Sequence, residues 1–249
     1  MKKLIFICAA VLIAGAFIPA NLAAQAAQPI NLDPGAFFNP DNFSISINLL
    51  LSLAMISFIP FFIVSTTSFL RSVIILSLIR QALGTQQAPP NMVIIALALF
   101  MTVFIMTPTL DKINEVAYKP YQEGKISQKE ALTLGAEPLK EFMLKLTRDK
   151  DLALFIQFSH IQTPENYENI PIYILIPAFL ISELKTAFQI GFLLFIPFLA
   201  IDLITANILL SLGMFMLSPA MVSLPFKILL FVLTDGWNLI IQGILVSFR

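Results

Sequence analysis

Residues 169–201 read NIPIYILIPAFLISELKTAFQIGFLLFIPFLAI, and the fold turns on how they are read. Fourteen uncharged residues end at Ser182, then come Glu183 and Lys185, and sixteen uncharged residues follow. The hydrocarbon core of a bilayer is about 30 Å thick and takes about 20 apolar residues to cross as a helix, so neither piece alone is a comfortable span. As one helix the stretch would run about 50 Å, well past that thickness. Pro177 and Pro197 predict interruptions, because proline deletes a helical hydrogen bond and clashes with the preceding turn. Charges inside so apolar a stretch normally face protein or water rather than lipid.

The rest of the chain has the same character. It is 58% hydrophobic and only 12% charged, with a mean hydropathy of +0.87. Typical soluble domains carry about a quarter charged residues. The chain therefore belongs in a membrane or inside a membrane complex. Fifteen basic and fifteen acidic residues cancel, which gives no electrostatic reason to expect a nucleic-acid partner.

Working outward, Asn42 to Leu70 is free of charge and contains Pro60, which predicts a kink. The helical pattern continues through Arg71 and Arg80 to Leu83-Gly84, where Gly is a natural C-terminal cap. Arg80 reads as an edge marker. Gln81 to Leu110 is again uncharged, with its apolar part, Met92 to Met106, ended by Thr107-Pro108. Leu203 to Phe226 is a further uncharged run. No strand-type alternation appears. The expected fold is all-α and membrane-associated: two kinked helical hairpins, 43–110 and 170–249, separated by a polar helical insert, 111–169.

Asp111 to Asp151 alone holds eight basic and eight acidic residues. Ser127 and Glu130 have capping-box spacing. Leu139, Phe142, Met143 and Leu146 recur at amphipathic helix spacing, and Glu141 precedes Lys145 by four, the favourable polarity. Thr163-Pro164 can start another helix. The insert is therefore water-facing and helical.

The first 26 residues read as a cleaved secretory signal peptide: Lys2 and Lys3, an apolar core from Leu4 to Ile18, then Ala24-Gln25-Ala26. The only cysteine, Cys8, falls within it, so the mature chain would have no disulfide and no thiolate site. Residues 27–42, with three prolines, form an extended periplasmic lead. A cleaved signal places the mature N-terminus outside the cytoplasm, and four crossings place the insert outside as well. Counting Lys and Arg argues the other way, but segments of about 60 residues translocate largely regardless of charge.

Arg71, Glu183, Lys185, Asp202, Lys227 and Asp235 are embedded in apolar sequence. Each costs on the order of 2.5–3.5 kcal/mol at the bilayer centre, so each needs a partner or water. Glu183 and Lys227 are the expected pair, since they flank the Gly213–Pro219 stretch in sequence. Such a pair could fix the hairpin that carries that stretch or join neighbouring copies of it; snorkelling to an interface is the alternative. Glu183 and Asp202 could otherwise serve a stand-alone ion or small-solute transporter, but no chain of acids and histidines is present to relay protons. His160, the only histidine, has no nucleophile and orienting group to complete a catalytic set. No metal-ligand spacing or phosphate loop occurs, and no enzyme activity or cofactor is expected.

Gly213-Met214-Phe215-Met216-Leu217-Ser218-Pro219 lies between two apolar segments. One reading is a kinked membrane helix with methionine as filler. The other is a loop of soft, deformable apolar side chains, held where protein or a cavity surrounds the break.

The strings SFLRSVIILSLIRQALGTQQAPPNMVIIALALFMT (68–102), SELKTAFQIGFLLFIPFLAIDL (182–203), GMFMLSP and SLPFKILLFVLTDGW (223–237) resemble the FliP family of type III secretion export-gate proteins, in its flagellar branch. The likeness runs from about Leu49 to the end. It implies a non-catalytic protein, five copies of which assemble with FliQ and FliR into a helical pore complex in the inner membrane and basal body. That complex works with FlhA, FlhB and a cytoplasmic ATPase complex and passes unfolded flagellar subunits. By the same resemblance, Met214, Phe215 and Met216 match a methionine loop at the narrowest point of the pore. The family's usual middle methionine is Phe215 here, which keeps an apolar seal but puts an all-methionine mechanism in doubt. Glu183 and Lys227 match a family pair implied to form an assembly salt bridge.

Overall fold

In a computed structural model, the described residues are 43–85, 87–159 and 170–248. The expectations for the signal peptide and Cys8, the 27–42 lead, His160 and the Thr163-Pro164 helix start lie outside them. Helices fill nearly all of the described chain, with no strand among the described residues. The protein is an all-α membrane protein. Two described helical spans, Asn91–Gln122 and Ile172–Ser211, are long and apolar enough to cross a membrane, or up to four if each of two broken helix pairs counts as one.

The chain divides into two compact units, Met1–Ile63 and Val64–Arg249. The first contains most of α1 (Phe43–Thr66), an apolar helix that runs on through Pro60. Large side chains such as Leu50, Phe58 and Phe61 stay exposed on it.

The second unit begins with α2 (Phe69–Leu83), which ends at Gly84 in the left-handed region, φ 77°. Only a residue without Cβ takes that conformation freely, so the cap predicted from sequence forms. Next, α3 (Asn91–Ile113) runs into a five-residue π-turn, Asn114–Tyr118, and the short α4 (Lys119–Gln122). The insert adds α5 (Gln128–Leu146) and α6 (Asp149–Phe158). Ser127 caps α5 by accepting a hydrogen bond from the Glu130 backbone N–H at 3.3 Å.

The 40-residue α7 (Ile172–Ser211) follows. It is one continuous helix of roughly 60 Å. The predicted interruptions at Pro177 and Pro197 do not occur. Each proline forfeits a hydrogen bond, at about 3 kcal/mol or more. An open break among apolar neighbours would leave backbone groups unsatisfied, and that keeps the helix closed. The chain finishes with α8 (Pro219–Leu233) and α9 (Gly236–Val246), bent by 65° from one another.

Helix α7 is the spine and belongs to two cores. Its first turns pack Ile174, Leu175, Ala178 and Phe179 against Met143, Leu152 and Ile156 of α5 and α6. The insert therefore shares its core with an apolar helix rather than closing on itself. Further along, Ala187 and Phe198 join Ile75 and Ile79 of α2, Ala98 of α3, and Ile240 and Ile244 of α9.

Gly191 of α7 packs directly against Leu78 of α2: an added Cβ would stand 2.2 Å from Leu78 Cδ1 and 3.3 Å from its Cγ. Gly191→Ala should therefore destabilise the α2–α7 contact by about 1–3 kcal/mol, the usual range for overpacking. The check is the thermal midpoint of the detergent-extracted protein, which should recover in the Gly191→Ala, Leu78→Ala double variant.

Candidate functional site

A carboxylate on an apolar helix must find a donor set or lose its charge. Glu183 on α7 is completely buried. It is met by Arg71 of α2, whose Nε donates to Oε2 at 2.8 Å and whose Nη2 donates to Oε1. Two parallel N–H···O bonds make this the planar fork that guanidinium supplies and an ammonium cannot. Arg71 is itself 2% exposed. Its Nη1 donates to the Ser247 carbonyl at 2.7 Å and to Ser247 Oγ at 3.1 Å, and its guanidinium carbon lies 4.0 Å from the centre of the Phe248 ring.

A second buried cation lies on α8. Lys227 Nζ donates to Asp202 Oδ2 of α7 at 2.6 Å and to the Ala82 carbonyl of α2 at 3.2 Å. Ser223 Oγ donates to the other Asp202 oxygen at 2.5 Å. Ala82 belongs to the last turn of α2, where free carbonyls carry the negative end of the helix dipole and favour a cation.

A third network joins the insert to α7. Lys185 and Ser182 both donate to the Asp151 carboxylate. The Arg148 backbone N–H donates to Ser182 Oγ at 3.0 Å, and its guanidinium donates to Thr186 and Gln189. Burial alone would raise the Asp151 pKa. The hydrogen bonds from Lys185 and Ser182, and the charges of Lys185 and Arg148, outweigh it and hold the carboxyl below its ordinary value of 3.8.

Within the chain Glu183 pairs with Arg71 and Lys227 with Asp202, so the expected Glu183–Lys227 pair does not form inside one chain and would have to join neighbouring copies. Glu183 and Asp202 are nineteen residues apart on one continuous helix, about 28 Å along its axis. A lysine that reaches Asp202 cannot also reach Glu183 of the same chain. Flanking the loop in sequence therefore did not mean adjacency. Asp235 stands apart at the exposed α8–α9 bend with φ 50°, where it accepts a bond from Asn238 at 3.2 Å. The two carboxylates considered for an ion path, Glu183 and Asp202, each hold a cation of the same chain.

The residues missed in sequence were the partners: Asp151 and Arg148 in a solvated-looking charge run, and Ser223, Ser247 and Phe248 with no local signal at all. Only the embedded ions announced themselves.

Between α7 and α8 lies the loop 212–218. Gly213, at φ 73°, closes α7: its N–H donates to the Leu210 carbonyl at 3.1 Å, and the Met214 N–H donates to the Leu209 carbonyl at 2.9 Å. This is a Schellman cap, which ends the helix with its last carbonyls satisfied. Pro219 then opens α8 at its first turn, where a missing N–H costs nothing. The loop is thus a tight connection between two finished helix ends, not a kink in one helix. Phe215 is 77% exposed and Met216 is 101% exposed. The loop's apolar side chains are therefore held out from their own chain.

Comparison with known proteins places this geometry. The model of the FliP family matches residues 52–244. The chain is 54% identical over 210 residues to the flagellar biosynthetic protein FliP of Bacillus subtilis (strain 168), covering 84% of this chain and 95% of that protein. It is 49% identical over 207 residues to that of Pectobacterium carotovorum, covering 83% and 80%. It is 45% identical over 237 residues to that of Caulobacter vibrioides, covering 95% and 88%.

Two outcomes follow from the ion networks. Arg71→Met should destabilise the protein by roughly 3–5 kcal/mol by stranding the Glu183 charge, while Arg71→Met with Glu183→Leu should recover most of that loss. Thermal unfolding of the purified protein checks both. Asp151 has a lowered folded pKa, so its contribution is fully present above the unfolded value near 3.8 and is lost as pH falls through the folded value. Protease resistance of residues 128–158 should therefore fall in acid below about pH 4, and Asp151→Asn should be weaker at neutral pH and lose less across that acid range.

Proposed function

Since the chain belongs to the FliP family and takes part in flagellar export as a membrane-embedded component, we propose that it is a non-enzymatic, pore-forming subunit of the type III export gate. In this reading about five copies, with FliQ and FliR, surround an axis in the bacterial inner membrane and basal body, partly on the periplasmic side. FlhA and FlhB would stand beside them, and unfolded flagellar subunits would pass through the centre.

The observation that carries the reading is the loop itself. Met214, Phe215, Met216 and Leu217 project from a short connection between the capped end of α7 and the proline start of α8. Repeated around an axis, such loops make a ring of apolar side chains, and a narrow apolar ring blocks ions by dewetting. Unbranched methionine can repack around a moving polypeptide of changing shape. Phe215 adds bulk with fewer rotatable bonds, so the seal keeps its apolar character with a stiffer middle residue. The wide exposed face of α7, including Phe188, Phe192 and Leu203, is accounted for if sister copies cover it. The sequence carries no nucleotide-binding loop, so the energy for transport comes from other components.

Replacing Met214, Phe215 and Met216 together with Gly should raise ion leakage across the membrane of cells assembling flagella, while the complex still assembles. Membrane-potential dyes and ion-sensitive growth read the leak, and native electrophoresis reads assembly. Unchanged leakage with normal export would overturn the loop as the seal.

A further inference from the structure

The loop needs a fixed position to act as a ring. One end is capped onto α7 at Gly213; the other is carried by α8, and α8 continues into α9 through a stiff bend. Asp235 at that bend adopts the left-handed region, which few residues other than Gly occupy without cost. The next residue, Gly236, is packed so closely that a Cβ would lie 2.3 Å from the Phe231 ring. Trp237 meets the same ring edge-on, with centroids 5.3 Å apart. Helices α8 and α9 therefore move together as one bent arm, with the loop at one end and Ser247-Phe248 at the other.

That arm is attached to the α2–α7 pair by polar contacts toward both of its ends. On α8, Ser223 and Lys227 both donate to Asp202, and Lys227 also donates to the Ala82 carbonyl. Beyond the last turn of α9, Arg71 donates to the Ser247 carbonyl and hydroxyl and stacks over Phe248. Apolar packing of Ile240 and Ile244 seats α9 in the core it shares with α2 and α7, but such contacts tolerate rotation; directional polar contacts separated along the arm set its tilt, and with it the position of the loop. Arg71 is well suited to the α9 end. Its Nε and Nη2 are committed to Glu183, which orients the guanidinium, and its Nη1 and flat face remain for the arm.

We propose that Ser247 and Phe248 are positioning residues of the gate: they latch the end of α9 to Arg71, and so fix the tilt of the α8–α9 arm that carries the loop 212–218. Phe248 contributes the face of its ring, the electron-rich surface that attracts a desolvated guanidinium. The Ser247 carbonyl contributes a charge-assisted acceptor. The functional half of this inference rests on the export-gate reading above; the structural half does not.

The test uses the detergent-extracted complex from cells and follows backbone hydrogen exchange of 236–247. Phe248→Leu, which keeps an apolar side chain but removes the ring, should speed exchange in the last turns of α9 roughly three- to tenfold. Phe248→Tyr, which keeps the ring, should restore the original rate. Ser247→Ala should give a smaller increase, because the carbonyl bond survives. Unchanged exchange in Phe248→Leu, or equal loss in Phe248→Tyr, overturns the latch. Ion leakage is then measured in the same strains. Faster exchange with increased leak in Phe248→Leu supports the proposal. Faster exchange without leak, in cells where the triple Gly variant of the loop does leak, overturns the coupling of latch to loop. If the triple Gly variant also fails to leak, the sealing role itself falls, while the exchange result still stands as evidence for the latch.

Discussion

A buried carboxylate cannot be left without a cation, and Glu183 obtains one from a residue 112 positions earlier in the chain. That requirement brings α2 against the middle of α7 in one rotational setting. Transferring either ion alone out of water costs several kcal/mol, so the pair is weak evidence of extra stability. Its value lies in selectivity of arrangement. A rotated or slipped α7 would strand a charge, and apolar contacts alone would not exclude such slippage, because Leu, Ile and Phe on one face of a helix are nearly interchangeable as packing partners.

The same helix applies that constraint three times along its length. Ser182 and Lys185 hold Asp151 of the insert, Glu183 holds α2, and Asp202 holds α8. Consecutive residues 182 and 183 point to different neighbours because successive positions on a helix are about 100° apart. A 40-residue rod can therefore index the insert on one side and the apolar helices on the other. Proline at 177 and 197 does not weaken the rod enough to matter, since an apolar environment penalises any opening of the backbone at those sites.

Much of this was legible in the sequence. Hydropathy and proline placement gave the helical class, Gly84 and Ser127 gave their caps, and the i, i+3, i+4 spacing put Phe142 and Met143 on the core face of α5. The embedded ions stood out because their surroundings could not hydrate them. Their pairing was not legible. It depends on which residues lie at the same height on different helices, and height follows from helix length and continuity. Flanking the same loop in sequence suggested Glu183 and Lys227 as partners, but α7 runs unbroken through Pro177 and Pro197, and within one chain each ion takes another partner. Phe248 illustrates a second limit: an aromatic residue two positions beyond a helix carries no local mark of the cation it covers.

The loop between α7 and α8 shows why a soft element needs hard supports. In the gate proposed above, methionine side chains would adapt to a passing chain only if the backbone that carries them did not drift, because a ring that widened by a few ångströms would admit water and then ions. Gly213 and Pro219 remove freedom at the two ends of the loop: one by a left-handed cap, the other by a fixed φ at the first turn of α8. What remains flexible is the set of side-chain rotamers of residues 214–217. Compliance is thus confined to the atoms that would touch cargo. The charges that fix the surrounding helices, Glu183 with Arg71 and Asp202 with Lys227, lie on packed helices rather than on the loop. Rigidity in the frame and mobility at the rim are separate properties of separate residues, and in the proposed gate that separation would let a constriction yield to a polypeptide without loosening the assembly around it.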